Sequence, residues 1–507
     1  MTSDPTKPTP ARFAERAGAL ALAVSALYVL ALAYPVHLHV VGVFSDFYRW
    51  YAPDADRISA GQLPQNTYNP PGYPALLALG SRVTGDHFSS GKWLSLLAAG
   101  LTGVLAFYLH RRLFGAGVAL LAVPIILSSE VFTRYAVSAM TDVPFVCVTA
   151  AALLAITDDR PGWRRSAILA GALSGVATLM RYNGAFLLVP GLIGMLWRRD
   201  RPAFGLTRAA IYLGSFLLTV GPWLWVNHAQ HGSPVYSTNY QDVARALGLG
   251  SEGRIFNSLS DVVLHHPGRF AWSYVGRVVP TAFQSVGSSL ALLPVGPLAV
   301  AGIGLSLVRN RRRPVIIVLV GALAFLMLMS LTHWETRYFF FLLLCYSGFA
   351  AYATVEIAGR VGRALGSPSA ARLVIGGIML WILVPSSIAA RRTVAVTLSR
   401  QPLELLPAAQ YLDRAAPRSA TVMAVRAQIA YLSRRQWREL PPVQSVDQLR
   451  GLLGEQPPEY LVYDRWTRRL IQPLSGLANP DGSVPWLRPV YRDPAGQVTI
   501  YAVELDR

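Results

Sequence analysis

Unbroken apolar runs constrain this chain more than any other feature. The run at 17–36 reads AGALALAVSALYVLALAYPV, and comparable runs recur along most of the 507 residues. A helix needs about 20 such residues to cross a hydrocarbon core. With no water there to satisfy the backbone, a spanning segment must be a helix or a strand of a closed barrel. Barrel strands alternate apolar and polar residues, and these runs do not. Composition agrees: 53% of residues are hydrophobic and 14% are charged, where a soluble chain carries about a quarter charged. The expected fold is mainly α, a polytopic membrane protein. The first run lacks a small-residue cleavage site and reads as a retained helix, not a signal peptide. Cys147 and Cys345 both lie inside apolar runs and read as packing residues, so no disulfide framework is expected.

Spans are expected near 17–36, 93–110, 116–130, 143–157, 166–180, 184–197, 209–226, 287–308, 315–331, 339–357 and 373–390, eleven in all. The net charge of +19 then sorts by side. One side receives Lys7, Arg12, Arg16, HRRLFG, DDRPGWRR, WRRDRPAFGLTR, RNRRRP and GRVGRALGSPSAAR, whereas the short loops opposite receive only Arg134, Arg181 and Arg337. The positive-inside rule puts the N-terminus in the cytoplasm and, after eleven spans, the C-terminus outside. The excess charge is a topology signal and not a nucleic-acid footprint.

Two long loops, 37–91 and 227–286, fall outside with the tail. Residues 1–398 are expected to form the membrane-embedded body and 399–507 a small extracytoplasmic α/β domain. In that tail SATVMAVRAQIAYLSRRQWREL reads as strand, helix, strand, SVDQLRGLLGEQPPEYLVYDR as helix then strand, and RPVYRDPAGQVTIYAVE as a hairpin. No internal repeat is visible, which argues against repeat-built transporter folds.

The unusual polar residues gather at one level. Asp46 follows the first span; Glu130, Arg134 and Asp142 flank the third and fourth; Arg181 and Asn183 lie between the fifth and sixth; His333, Glu335 and Arg337 sit in THWETRYF before the tenth. Ionisable groups near lipid are costly unless paired or facing a wet cavity, so acids and bases from four loops at one rim imply one outer-face cavity. Taken singly, each has a plainer reading. Asp46 and Asp142 would serve as interfacial residues or helix caps, Arg181 and Arg337 as snorkelling cations, and Tyr48, Trp50 and Tyr51 as an aromatic belt. Taken jointly they describe group transfer from a lipid-borne phosphate. Guanidinium forks match phosphate oxygens, a carboxylate takes a proton from an attacking hydroxyl, and aromatic faces suit a sugar.

With Asp46, Tyr51, ISAGQLP and YNPPGYPALLAL in the first outer loop, SAMTDVPF opening a helix, MRYNGAFLLVP, ETRYFF and the tail AQIAYLSRRQWRELPP, the chain resembles the GT-C superfamily of integral-membrane glycosyltransferases. More closely it resembles the bacterial protein-mannosyltransferase and lipid A aminoarabinose-transferase type. The resemblance implies a polyprenyl-phosphate-linked sugar donor, inversion at the anomeric carbon, and a general base at the position of Asp46, with Asp142 as the second acid of the site. Arg134, Arg181 and Arg337 are expected at the donor phosphate, His333 and Glu335 as orienting groups, and Tyr48, Arg49, Tyr51 and Tyr68 at the mouth; Asp54 and Asp56 are rival acids. Phe47 stands where some relatives carry a second consecutive acid, which leaves metal dependence open. No motif demands a divalent cation, though one is compatible. The acceptor would be an envelope glycan, a lipid or a protein hydroxyl, and the location a bacterial plasma membrane. The rival function is a transporter or flippase for a lipid-linked glycan, which would place essential charges at mid-depth. A non-catalytic binding protein would tolerate Asp46→Asn.

Overall fold

The computed structural model describes residues 10–158, 162–197, 202–249, 255–454, 456–479 and 484–505. Of the cations expected on the cytoplasmic side, Lys7, Arg160, Arg198, Arg199 and Arg201 lie outside them. The chain divides into two compact units, Met1–Leu38 with Pro64–Leu398, and His39–Leu63 with Ser399–Arg507. The first outer loop is therefore divided: its first part clusters with the tail, and the remainder, from Pro64, stays with the helices.

The first unit is helical, and each of the eleven apolar runs overlaps a helix, although 116–130 breaks at Ser128–Ser129 and the regular helix of 287–308 begins only at Val295. Among the described residues, five helices are long and apolar enough to cross a membrane: Arg12–Leu38, His87–Phe114, Phe204–His231, Thr336–Ala364 and Pro368–Ser399. A sixth candidate is the pair Ala116–Leu127 and Glu130–Ala136, bent by 67°. The four shorter apolar helices Asp142–Ile156, Tyr182–Leu196, Val295–Arg309 and Arg313–Met329 have 10–17 residues. At 1.5 Å per residue these fall short of a core about 30 Å thick, so helix length does not establish the count of eleven. The reason is local: these runs are interrupted by turns that carry polar residues, such as Ser128–Ser129 and Arg181. Thr336–Ala364 is almost wholly buried inside the helical unit, whereas Arg12–Leu38 presents Leu20, Leu22, Leu27 and Leu30 outward.

The second unit carries the mixed sheet expected of the tail. Strands β1 (Thr421–Ala424), β2 (Gln436–Glu439), β3 (Tyr460–Tyr463), β4 (Leu487–Arg492) and β5 (Thr499–Val503) lie in the order β2-β1-β3-β5-β4. β1 pairs parallel with β2 and β3, while β5 runs antiparallel to β3 and β4. Side chains alternate across a strand, and two cores result. Val422, Ala424, Val462 and Ile500 pack on one face with the helix Leu405–Ala415, and Met423, Leu461, Tyr463 and Tyr501 on the other with Val446–Leu453.

Candidate active site

In the helical unit the expected arginines and one expected acid converge on helix ends. Asp142 opens the helix Asp142–Ile156, where a negative charge suits the positive end of the helix dipole. It does not act as a cap. Its side chain is fully buried, and Oδ1 accepts a hydrogen bond from Arg181 Nη1 at 2.6 Å. Its Oδ2 has no hydrogen-bond partner among the described residues. Arg181 ends the helix Trp163–Met180 in extended conformation, with φ −152° and ψ 132°. The chain then folds back so tightly that a Cβ on Gly184 would collide with the Ala177 carbonyl. YNPPGYP is held against the same helix end: a Cβ on Gly72 would stand 2.5 Å from the Leu179 carbonyl oxygen. Glycine is required at both turns because any side chain would push the backbones apart.

Tyr338 joins the second arginine to the first. Arg181 and Arg337 each set their guanidinium 5.0 Å from its ring centroid, a cation–π arrangement. Arg337 Nε also donates to Glu335 at 2.5 Å, and His333 Nε2 lies 3.8 Å from the same carboxylate. Burial works to raise the Glu335 carboxyl, but the His333 hydrogen bond and the Arg337 charge outweigh it and bring it down to about 2. The Glu335 hydrogen bond in turn raises His333 above its ordinary value. Arg134 follows the bend after Leu127, and its guanidinium lies 5.9 Å from the ring of Tyr135. The buried Tyr135 is the common neighbour: the charges of Arg337, Asp142, Arg134 and Glu335 all act on its hydroxyl.

The second outer loop extends this network. Tyr68 donates its hydroxyl to Asp242 Oδ2 at 2.6 Å, the Asn239 amide bonds the Tyr68 carbonyl, and Ser237 Oγ bonds the Thr67 carbonyl at 2.8 Å. The Asp242 charge also acts on His333. Glu130 accepts a hydrogen bond from Thr393 Oγ1 at 2.6 Å. Tyr135, Tyr338 and Asp242 escaped the sequence reading. A Tyr beside each of Arg134 and Arg337 was the available signal for the first two, and the NYQDVARA helix for the third.

The remaining expected residues belong to the second unit. Asp46 is half-buried and precedes a π-helical turn, Phe47–Tyr51, a rare element often found at functional positions. Tyr48 accepts the Gly42 N–H at 2.8 Å and packs edge-on against Tyr431, at 5.6 Å between centroids. Arg49 pairs with Glu439 at 2.9 Å between the rings of Trp50 and Trp437. Tyr51 is buried, as is Asp54, while Asp56 is exposed. Among the described residues no three His, Cys, Asp or Glu side chains converge to hold a metal ion.

A many-helix unit with arginines gathered where its helices begin and end, and a second unit with a small mixed sheet, are features that known proteins share in part. Residues 68–225 match the family model described as dolichyl-phosphate-mannose-protein mannosyltransferase, a stretch that includes Tyr68, Arg134, Asp142 and Arg181. ArnT from Cupriavidus metallidurans bound to undecaprenyl phosphate is similar with a TM-score of 0.57 at 15% identity, over 96% of this chain and 97% of that one. The apo state of the same protein gives 0.58 at 14% identity, over 94% and 97%. The oligosaccharyltransferase AglB from Archaeoglobus fulgidus, in complex with an inhibitory peptide and a dolichol-phosphate, gives 0.63 at 13% identity, over 96% and 74%. No curated protein matches the sequence significantly. The chain has the fold of the GT-C superfamily of integral-membrane glycosyltransferases.

Proposed function

We propose that the protein moves a sugar from a polyprenyl-phosphate donor to a hydroxyl acceptor at the outer face of a bacterial plasma membrane. The observation that carries this reading is the gathering of Arg181 and Arg337 on Tyr338, with Arg134 acting on the same Tyr135 hydroxyl as Arg337. Three guanidinium groups against Asp142 and Glu335 leave a cationic surplus, which suits a phosphate that gains charge as the sugar departs. That ArnT and AglB were solved with lipid phosphates supports the same donor class.

In this reading the acceptor oxygen attacks the anomeric carbon from the face opposite the phosphate. The new C–O bond forms as the bond to the phosphate oxygen breaks, and its electron pair leaves with the phosphate. The hydroxyl proton passes to the Asp46 carboxylate, and the anomeric centre inverts. Arg134, Arg181 and Arg337 hold the departing phosphate, Asp142 fixes Arg181, and His333 and Glu335 orient Arg337 and the sugar. Tyr48, Arg49, Tyr51 and Tyr68 shape the mouth. The N-terminus is cytoplasmic, the shorter helices complete eleven crossings together with their flanking turns, and residues 399–507 form the extracytoplasmic domain.

The test uses the full chain in nanodiscs with a panel of radiolabelled polyprenyl-phosphate sugars and an envelope extract as acceptor. Turnover of one donor, lost in a folded Asp46→Asn variant, is the expected result. Turnover untouched by Asp46→Asn removes Asp46 from the chemistry and promotes Asp142, Asp54 or Asp56. Donor translocation across a sealed bilayer without sugar transfer would replace the reading with the flippase.

A further inference from the structure

The tail carries a pocket of its own, wholly inside the second unit. Residues 405–415 read LLPAAQYLDRA and form one helix. Leu405, Ala408, Ala409 and Leu412 recur at helical spacing and sit in the core on the sheet. Pro407, Gln410, Tyr411, Arg414 and Ala415 recur at the same spacing on the adjoining side. With Tyr491 they line an open pocket of about 410 Å³, within the range of small-molecule sites.

Tyr491 comes from β4, the strand at the edge of the sheet, where the register shifts between Pro489 and Tyr491. A shift of this kind re-aims a side chain. The Tyr491 ring stacks on Tyr411, at 5.1 Å between centroids and 30° between planes. Both residues are half-buried, and both line the pocket. The polar groups beside them are uncommitted. Gln410 and Arg414 are exposed, and their side chains make no hydrogen bond, ion pair or ring contact with any described residue. The one acid of the helix, Asp413, pairs instead with Arg435 at 3.4 Å. No carboxylate lines the pocket among the described residues.

Aromatic rings with polar tips suit the C–H face and the hydroxyls of a sugar. A guanidinium without an acid suits a carboxylate, which it takes with two parallel hydrogen bonds. A carboxamide both donates to and accepts from a hydroxyl. We infer that the pocket binds an acidic carbohydrate, a uronate unit of a glycan. Its ring lies against Tyr411 and Tyr491, its carboxylate on Arg414 and a neighbouring hydroxyl on Gln410. The site uses none of the residues assigned to sugar transfer, so it stands or falls independently of them.

Calorimetric titration of the full chain in nanodiscs at physiological salt tests it. The probes are tetrasaccharides of galacturonate and of glucuronate, with their carboxyl-reduced counterparts as controls. At least one acidic probe should bind, and its reduced counterpart about tenfold more weakly. Arg414→Gln should cost the acidic probe about tenfold and leave the reduced one unchanged. Gln410→Glu, at an exposed side chain, should also weaken the acidic probe, because it places a like charge in the pocket. Tyr491→Leu keeps apolar bulk on the sheet and should weaken both probes equally. Arg450→Gln, on the helix Val446–Leu453 against the other face of the sheet, should change nothing. That control separates a built site from the general attraction of a chain with net charge +19. Absence of binding by both acidic probes, equal affinity for the reduced sugars, or equal losses in Arg414→Gln and Arg450→Gln overturns the inference.

Discussion

Two aspartates expected at one site live in opposite surroundings. Asp142, in the helical unit, is fully buried and gives one oxygen to Arg181. Asp46, in the unit built with the tail, is half-buried. A carboxylate locked to an arginine suits a fixed anion that shapes a phosphate site. A carboxylate with partial access to water suits proton transfer. Under the proposed function the contrast gives the two acids different roles, as burial and neighbours do wherever a pair of carboxylates divides its work.

The largest expected effect breaks the comparison directly. Asp46→Asn should lower kcat about 10²–10⁴-fold, the usual worth of a general base, with little change in thermal midpoint. Asp142→Asn should reverse the pattern, weakening donor binding and stability together. A folded Asp142→Asn with normal donor affinity would erase the distinction.

Arg181 comes next. Removing one partner of a buried pair costs about 3–5 kcal/mol because the other charge stays behind, and Arg181→Ala leaves Asp142 in that state. The expected outcome is a large fall in thermal midpoint with loss of turnover. Arg181→Ala combined with Asp142→Leu should recover stability and not turnover, separating what the pair does for folding from what the cation does for the donor.

Much of this was legible from the chain, and what was missed has a physical cause. TDVPF, RYNGAF and ETRYFF each mark a helix start or a turn between apolar runs, and the structure brings all three into one network. Polar groups beside lipid must find one another, so their convergence follows from solvation. Tyr338 as a shared platform for two arginines was illegible because no sequence spacing links Arg181 to it. Asp242 was hidden because a loop segment has no periodicity that fixes its partner across the chain. The division of the first loop at Leu63 was equally unreadable. It depends on Gln401, Arg426 and Glu439, more than 350 residues away along the chain and invisible to any local pattern.

A smaller effect concerns pH. The Glu335 carboxyl, brought down from its ordinary 4.5 to about 2, contributes stability that is complete above pH 4.5 and lost as pH falls towards 2. His333, raised from its ordinary 6.5, contributes below pH 6.5 and loses that share as pH climbs through its raised value. The thermal midpoint of the wild type should therefore sag on both flanks, and Glu335→Gln should flatten both, since each term depends on that carboxylate. Partial exposure of both groups keeps the effect modest. An acid flank that survives Glu335→Gln unchanged would assign it to other carboxylates.

Tyr68→Phe is the finest probe. It removes the hydroxyl that Asp242 accepts at 2.6 Å and nothing else. A charged acceptor that keeps Arg245 at 2.9 Å as a second partner is not stranded, so the loss should be about 1 kcal/mol of stability. Because Asp242 also acts on His333, the variant should shift how the His333 end of the network titrates while leaving the Asp142–Arg181 end untouched. Titrating His333 by NMR in Tyr68→Phe and in Asp242→Asn measures this. Equal His333 titration in both variants and the wild type would cut the second outer loop out of the site and confine the cluster to the helix ends.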